Sequence, residues 1–202
     1  MPVIEIGCSR RPCGDVITDG FSVPNLKVSF GRIRVLMVAE SPPADPADGF
    51  WAKGDPFFLR TTRQAFAEAG FPVQKMRDIE ALGVYLTTAI KCPKQGYGVA
   101  AQTIDACSYL LEKELDAFPQ LEAVVLLGDV AIKAINVIAR RRTGKPAIPA
   151  GPTYRVREGE YWLNGLRLFP SYLTTGKSFL IEASKRRMAA EDIGAALRLV
   201  GR

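Results

Sequence analysis

The chain has 202 residues but no histidine, so its capacity for chemistry rests on four cysteines and a few well-placed carboxylates, hydroxyls and amides. Without imidazole, the usual general base and the usual nitrogen ligand for a metal are both missing. Cys8 and Cys13 enclose Ser-Arg-Arg-Pro, Cys92 follows a strand-like run, and Cys107 falls in the helix-like segment after it. Four thiolates are the number that a tetrahedral zinc or a cubane iron-sulfur cluster requires. Ligand count does not separate the two metals, and either would need all four sulfurs. In the bland alternative, Cys107 is a small core residue and the others are incidental. Glu40 directly follows the first strand-like run, where a carboxylate either lines a pocket or caps a neighbouring element.

These residues need a frame. Ile33 to Ala39 is an apolar, β-branched run that ends in Glu-Ser-Pro-Pro, a strand entering a rigid loop. The loop runs from Glu40 to about Phe58, and a helix is expected from Leu59 to Ala69, stopped by Gly70. Val84 to Ile90 reads as a second strand and Val99 to Ala117 as an amphipathic helix. Ala123 to Leu127 is aliphatic throughout, as in a parallel strand buried on both faces. A helix is expected from Val130 to Arg140 with Asp129 as its cap. A hairpin around Glu158-Gly159, a strand at Leu166 to Phe169 and a helix from Phe179 to Leu199 close the chain. Strand and helix alternate, which argues for an α/β fold with a parallel sheet covered on both faces. Ligands bind such sheets at the carboxyl ends of the strands.

Composition sets the outer bounds. Hydrophobic residues make up 48% and charged residues 24%, the balance of one globular domain spanning residues 1–202. No apolar run reaches the roughly 18 residues of a membrane span. The N-terminus lacks the basic and apolar regions of an export signal, so a cytoplasmic protein is expected, and there disulfides are disfavoured. A net charge of +6 and a pI near 9.2 favour a polyanionic partner.

Several motifs then fall into one order. Thr87-Thr88-Ala89-Ile90-Lys91-Cys92, followed by Cys107-Ser108-Tyr109-Leu110, resembles the Thr-Asn-x-x-Lys-Cys segment and helical Cys of the iron-sulfur uracil-DNA glycosylases. Ala39-Glu40-Ser41-Pro42-Pro43 is similar to their Gly-Glu-Ala-Pro-Gly loop, and Gly54-Asp55-Pro56-Phe57 to their Gly-Arg-Pro-Phe. Val125 to Ala131 resembles their Val-x-Leu-Gly-x-x-Ala turn, and Phe169-Pro170-Ser171-Tyr172-Leu173 stands where they have His-Pro-Ser-x-x. The resemblance spans about residues 8 to 195.

It implies a three-layer αβα sandwich around a mainly parallel four-stranded sheet, and a monomer that hydrolyses the N-glycosidic bond of uracil or a related deaminated base flipped out of DNA. Extrusion is required because the bond is unreachable inside the stack. By the resemblance, Glu40 orients water and stabilises the sugar cation, and Phe57 stacks on the base. Ala39, Thr88, Phe169 and Ser171 complete the pocket. Pro170, Tyr172, Leu173 and Lys177 meet DNA, with Leu173 or Tyr172 as an apolar wedge. Cys8, Cys13, Cys92 and Cys107 hold a 4Fe-4S cluster in preference to zinc. Arg140-Arg141-Arg142 and Lys185-Arg186-Arg187 are basic clusters that either track the DNA backbone or form a solvated face.

Three departures stand out. Thr88 replaces an Asn that would read a uracil edge with a donor and an acceptor together. Phe169 replaces a His that would donate to the leaving base, and loss of one such donor typically costs about 100 to 1,000-fold in rate. The first cysteine pair is separated by four residues rather than two. A catalytically weakened relative that binds DNA or a nucleobase is therefore the second expectation.

Overall fold

The computed structural model describes residues 6–8, 13–23, 29–176, 179–180 and 182–202. Five strands form one sheet: β1 (Val35–Ala39), β2 (Val84–Thr88), β3 (Ala123–Leu127), β4 (Tyr161–Leu163) and β5 (Leu166–Ser171), in the order β2-β1-β3-β5-β4. The first three and β5 run parallel, while β4 pairs antiparallel to β5 at the edge. The sheet therefore has one strand more than expected. Its hairpin turns at Asn164-Gly165 rather than Glu158-Gly159, because both Asn164 (φ 48°) and Gly165 (φ 84°) take the positive φ that a two-residue turn demands.

Helices cover both faces. Longer ones are α1 (Phe57–Glu68), α3 (Ala101–Ala117), α4 (Asp129–Thr143) and α6 (Ala183–Leu199), with short α2 (Met76–Ala81) and α5 (Thr153–Val156) between them. Every residue of β1, β2 and β3 is buried, so their side chains alternate between two apolar layers. Leu36, Val38, Tyr85, Val124, Leu126 and Leu168 face α3 and α4. Met37, Leu86, Val125 and Leu127 face α1 and α6. The arrangement is the expected three-layer αβα sandwich.

One further piece matters for the site. The segment after Cys13 lies along the loop following β2: Ile17 donates to the Pro93 carbonyl at 2.9 Å and Ser22 to the Lys91 carbonyl at 2.7 Å. Asp15 on this ribbon caps α3, accepting from the Ala100 amide at 2.6 Å and the Thr103 hydroxyl at 2.5 Å. Partial burial raises its pKa, but those two bonds outweigh it and hold the carboxyl below its ordinary 3.8. Among the described residues no helix is long and apolar enough to cross a membrane.

Candidate active site

The loop after β1 folds over the carboxyl end of the sheet and walls two adjoining cavities. The larger, about 360 Å³, is lined by Phe21, Phe50, Trp51 and Phe58, with Thr87 and Thr88 from the end of β2. The smaller, about 230 Å³, holds Glu40, Lys94, Leu173 and Thr175. Pro42, Pro43 and Phe58 line both, so the two are separated by one thin partition. Sheet register explains the convergence: β1 and β2 run parallel with Ala39 beside Thr88, so Glu40 and the end of β2 emerge together. Trp51 fixes the overlying loop by donating from its indole to the Leu86 carbonyl at 3.3 Å.

Glu40 is held from three sides. Lys94 Nζ reaches its Oε2 at 2.6 Å, and these side chains are 20% and 15% exposed, so solvent screens the pair only in part. The Val130 amide, in the first turn of α4, points at Oε1 from 3.4 Å, a long contact that still places the carboxylate at the positive end of a helix. Gly128 is the third side: its φ is +99°, and a Cβ there would stand 2.6 Å from Oε1. Only glycine combines that backbone with that space. The carboxylate is placed where it can stabilise a nearby cation or orient water.

Behind Thr88 lies a buried ionic network. Lys91 and Glu114 are both inaccessible to solvent and paired directly with each other. Lys91 also donates to the Thr87 hydroxyl at 2.8 Å and the Thr88 carbonyl at 2.5 Å, while Thr87 donates to Glu114 at 2.7 Å. The hydroxyl proton of Thr87 is thus committed to Glu114.

The remaining sequence-predicted residues divide. Leu173 lines the smaller cavity, and Ala39 ends β1 with its carbonyl accepting from Ala89 at 2.7 Å. Phe57 lines neither cavity. It opens α1 with the Arg60 guanidinium 5.3 Å from its ring, and the next residue, Phe58, takes the expected position between the cavities, packed 5.3 Å from Phe50. Phe169 lines neither cavity as well: its ring packs into the layer under α6, with the Arg167 guanidinium 4.7 Å away. Ser171, on the same side of β5, is fully buried and donates to Asp192 at 2.6 Å, so its hydroxyl is committed to α6. Pro170 is buried within β5, beside Leu126, and Tyr172 lies with Lys185 Nζ 5.6 Å from its ring. Lys177 lies outside the described residues.

Three residues near the cavities carry no mark in the sequence: Phe58, Lys94 and Tyr97. Tyr97 stands fully exposed beside Gly96, which lines the Glu40 cavity. The basic clusters are partly neutralised at home. Arg141 and Arg142 pair with Glu112 at 2.5 and 2.6 Å, Lys185 with Glu182 at 2.7 Å, and Arg186 with Glu68 at 3.4 Å. This fits a solvated face better than a phosphate track.

All four cysteines line one small enclosed cavity of about 20 Å³, together with Val16, Thr18 and Phe21. Burial pushes the Cys107 thiol above its ordinary range, and the nearby Cys13 and Cys8 add to the shift against an opposing Lys91 amide. No three His, Cys, Asp or Glu side chains among the described residues converge tightly enough to hold a metal ion.

The model of the uracil DNA glycosylase superfamily matches residues 28–187. A type-5 uracil-DNA glycosylase from Thermus thermophilus is 27% identical over 124 residues, covering 61% of this chain and 54% of that protein. The matched part therefore spans about half the length of that relative. A solved structure of wild-type UNG from Nitratifractor salsuginis, 14% identical, covers 86% of this chain and 76% of its own, with a TM-score of 0.45.

Proposed function

From the premise that this chain belongs to the uracil DNA glycosylase superfamily, we propose that it is a monofunctional DNA glycosylase that removes uracil or a related deaminated base from DNA as a step of base excision repair. The observation that carries the reading is the placement of a clamped Glu40 carboxylate one partition away from an aromatic-walled cavity of about 360 Å³. A flipped base enters the larger cavity and stacks against Phe58, a contact worth about 1–3 kcal/mol. Thr88 faces its edge with one hydroxyl. The sugar then lies at the partition, where Glu40 orients a water molecule toward C1′ and offsets the positive charge that grows there as the glycosidic bond breaks. Leu173 sits on the rim, where it can occupy the space the base vacates.

Cys8, Cys13, Cys92 and Cys107 supply four soft thiolate donors, a set whose chemistry fits a 4Fe-4S cluster. Such a cluster would tie the N-terminal ribbon to the loop after β2 and to α3, a structural task.

The test is base release from duplexes carrying uracil, hypoxanthine or xanthine by anaerobically purified protein, with E40Q beside the wild type. Release by the wild type and at least about a hundredfold loss in E40Q is expected. A second reading, a catalytically weakened relative that holds DNA or a nucleobase, is favoured by Phe169 facing the core rather than either cavity. Salt-dependent DNA binding with no release from any of the three duplexes would establish it in place of the first.

A further inference from the structure

Breaking a glycosidic bond with water leaves the bonding electron pair on the base, so the site must hold an anion on one side while it holds a sugar cation on the other. Glu40 answers the second need only. Neither Phe169 nor Ser171 answers the first, since one ring faces the α6 layer and the other side chain is bound to Asp192. Among the described residues that line the two cavities, Lys94 is the only cation. The residue before it, Pro93, lines the larger cavity, while Lys94 lines the smaller one, so this pair of residues lies along the partition between them. Its ammonium has three donors. One goes to Glu40 at 2.6 Å and one, weakly, to the Tyr97 carbonyl at 3.4 Å. The Tyr97 contact is long enough to exchange for a stronger acceptor.

We propose that Lys94 is a catalytic residue that takes up the negative charge on the departing base, forming with Glu40 an ion pair set across the breaking bond. The inference rests on the glycosylase reading above. In the step, the C1′–N bond breaks and its electron pair leaves with the base. The oxygen of water bonds to C1′ and its proton passes to Glu40, then to solvent. The base leaves as an anion held by the Lys94 ammonium and takes a proton from solvent after release. No proton leaves Lys94, whose charge alone does the work.

Leaving-group dependence tests this directly. Single-turnover release is measured from duplexes containing uracil or 5-fluorouracil, with wild type, K94M, K94R and E40Q, and duplex affinity is measured alongside. K94M is expected to slow uracil release about 100 to 1,000-fold. It should slow 5-fluorouracil, the more acidic base, at least about tenfold less, because that base carries its own charge better. K94R should recover part of the loss, and E40Q, acting at the sugar, should slow both bases alike. Equal slowing of both bases by K94M, or a loss explained by weaker duplex binding, would overturn the proposal.

If the wild type releases no base, the glycosylase reading fails separately and the charge assignment is read from binding. The free 5-nitrouracil anion should bind the wild type more tightly than neutral thymine, and K94M should abolish that preference. A preference absent from the wild type, or kept in K94M, would refute the role of Lys94.

Discussion

Replacing Lys91 with methionine isolates the contribution of the network beneath Thr88. The substitution keeps the length and apolar stem of the side chain but leaves the Glu114 carboxylate, fully buried, with the Thr87 hydroxyl as its one remaining partner in the network. It also strips the Thr88 carbonyl of a donor at 2.5 Å. Breaking a buried pair from one side costs about 3–5 kcal/mol, because an uncompensated charge remains in the interior. For a chain of this size that corresponds to a fall in Tm of roughly 6–20 °C. Replacing both charges in K91M/E114L removes the stranded ion and leaves neutral groups unsatisfied, at about 1–3 kcal/mol each. The double variant should therefore be more stable than K91M alone, and adding Thr87→Val should recover more. Urea denaturation of anaerobically purified protein reads all three. A K91M midpoint within about 1 kcal/mol of wild type, or a double variant whose loss equals the sum of the two singles, would show that the pair does not carry the base of this site.

Gly128→Ala should cost about 1–3 kcal/mol, because φ 99° with ψ 168° is a backbone region essentially restricted to glycine, and, by pressing on Glu40, lower base release at least tenfold; an unchanged rate would mean the carboxylate is not where the reaction needs it. Thr88→Asn restores a paired donor and acceptor and should raise uracil release about fivefold over wild type, the worth of one net hydrogen bond, measured in single-turnover assays. Asp15 has a folded pKa below 3.8, so its contribution is complete above about pH 4 and disappears as pH falls through the folded value. Protease cleavage in the ribbon after Cys13 should accelerate only as pH falls below about 4 in the wild type, and D15N should show the fast rate already at pH 5.

Much of the fold was legible because its signals are local and strong. Ala123 to Leu127 is bounded by Glu122 and Gly128 and is a strand over that same span. The short helices α2 and α5, at six and four residues, are too brief for a 3.6-residue period to emerge. The hairpin was displaced by six residues because Glu158-Gly159 offers one glycine, whereas Asn164-Gly165 satisfies both central positions. At the site, Glu40, Thr88 and Leu173 reach the cavities, since strand ends and the loops after them could be found from the aliphatic runs. Phe57 and Phe58 could not be told apart, because adjacent helical residues differ by about 100° and only the entry angle of α1 decides which faces inward. Phe169 and Ser171 share a parity on β5, and their burial under α6 depends on packing that no single motif encodes. Lys94 carries no motif at all. Its place is set by the ribbon that brings Val16 against it.

Phe21 belongs to two rooms at once, since it lines both the cysteine cavity and the large aromatic one. A single residue is therefore a party wall, and a change on one side should register on the other. On the glycosylase reading, oxidation of the thiols should reach a bound base through Phe21 as a change in its grip.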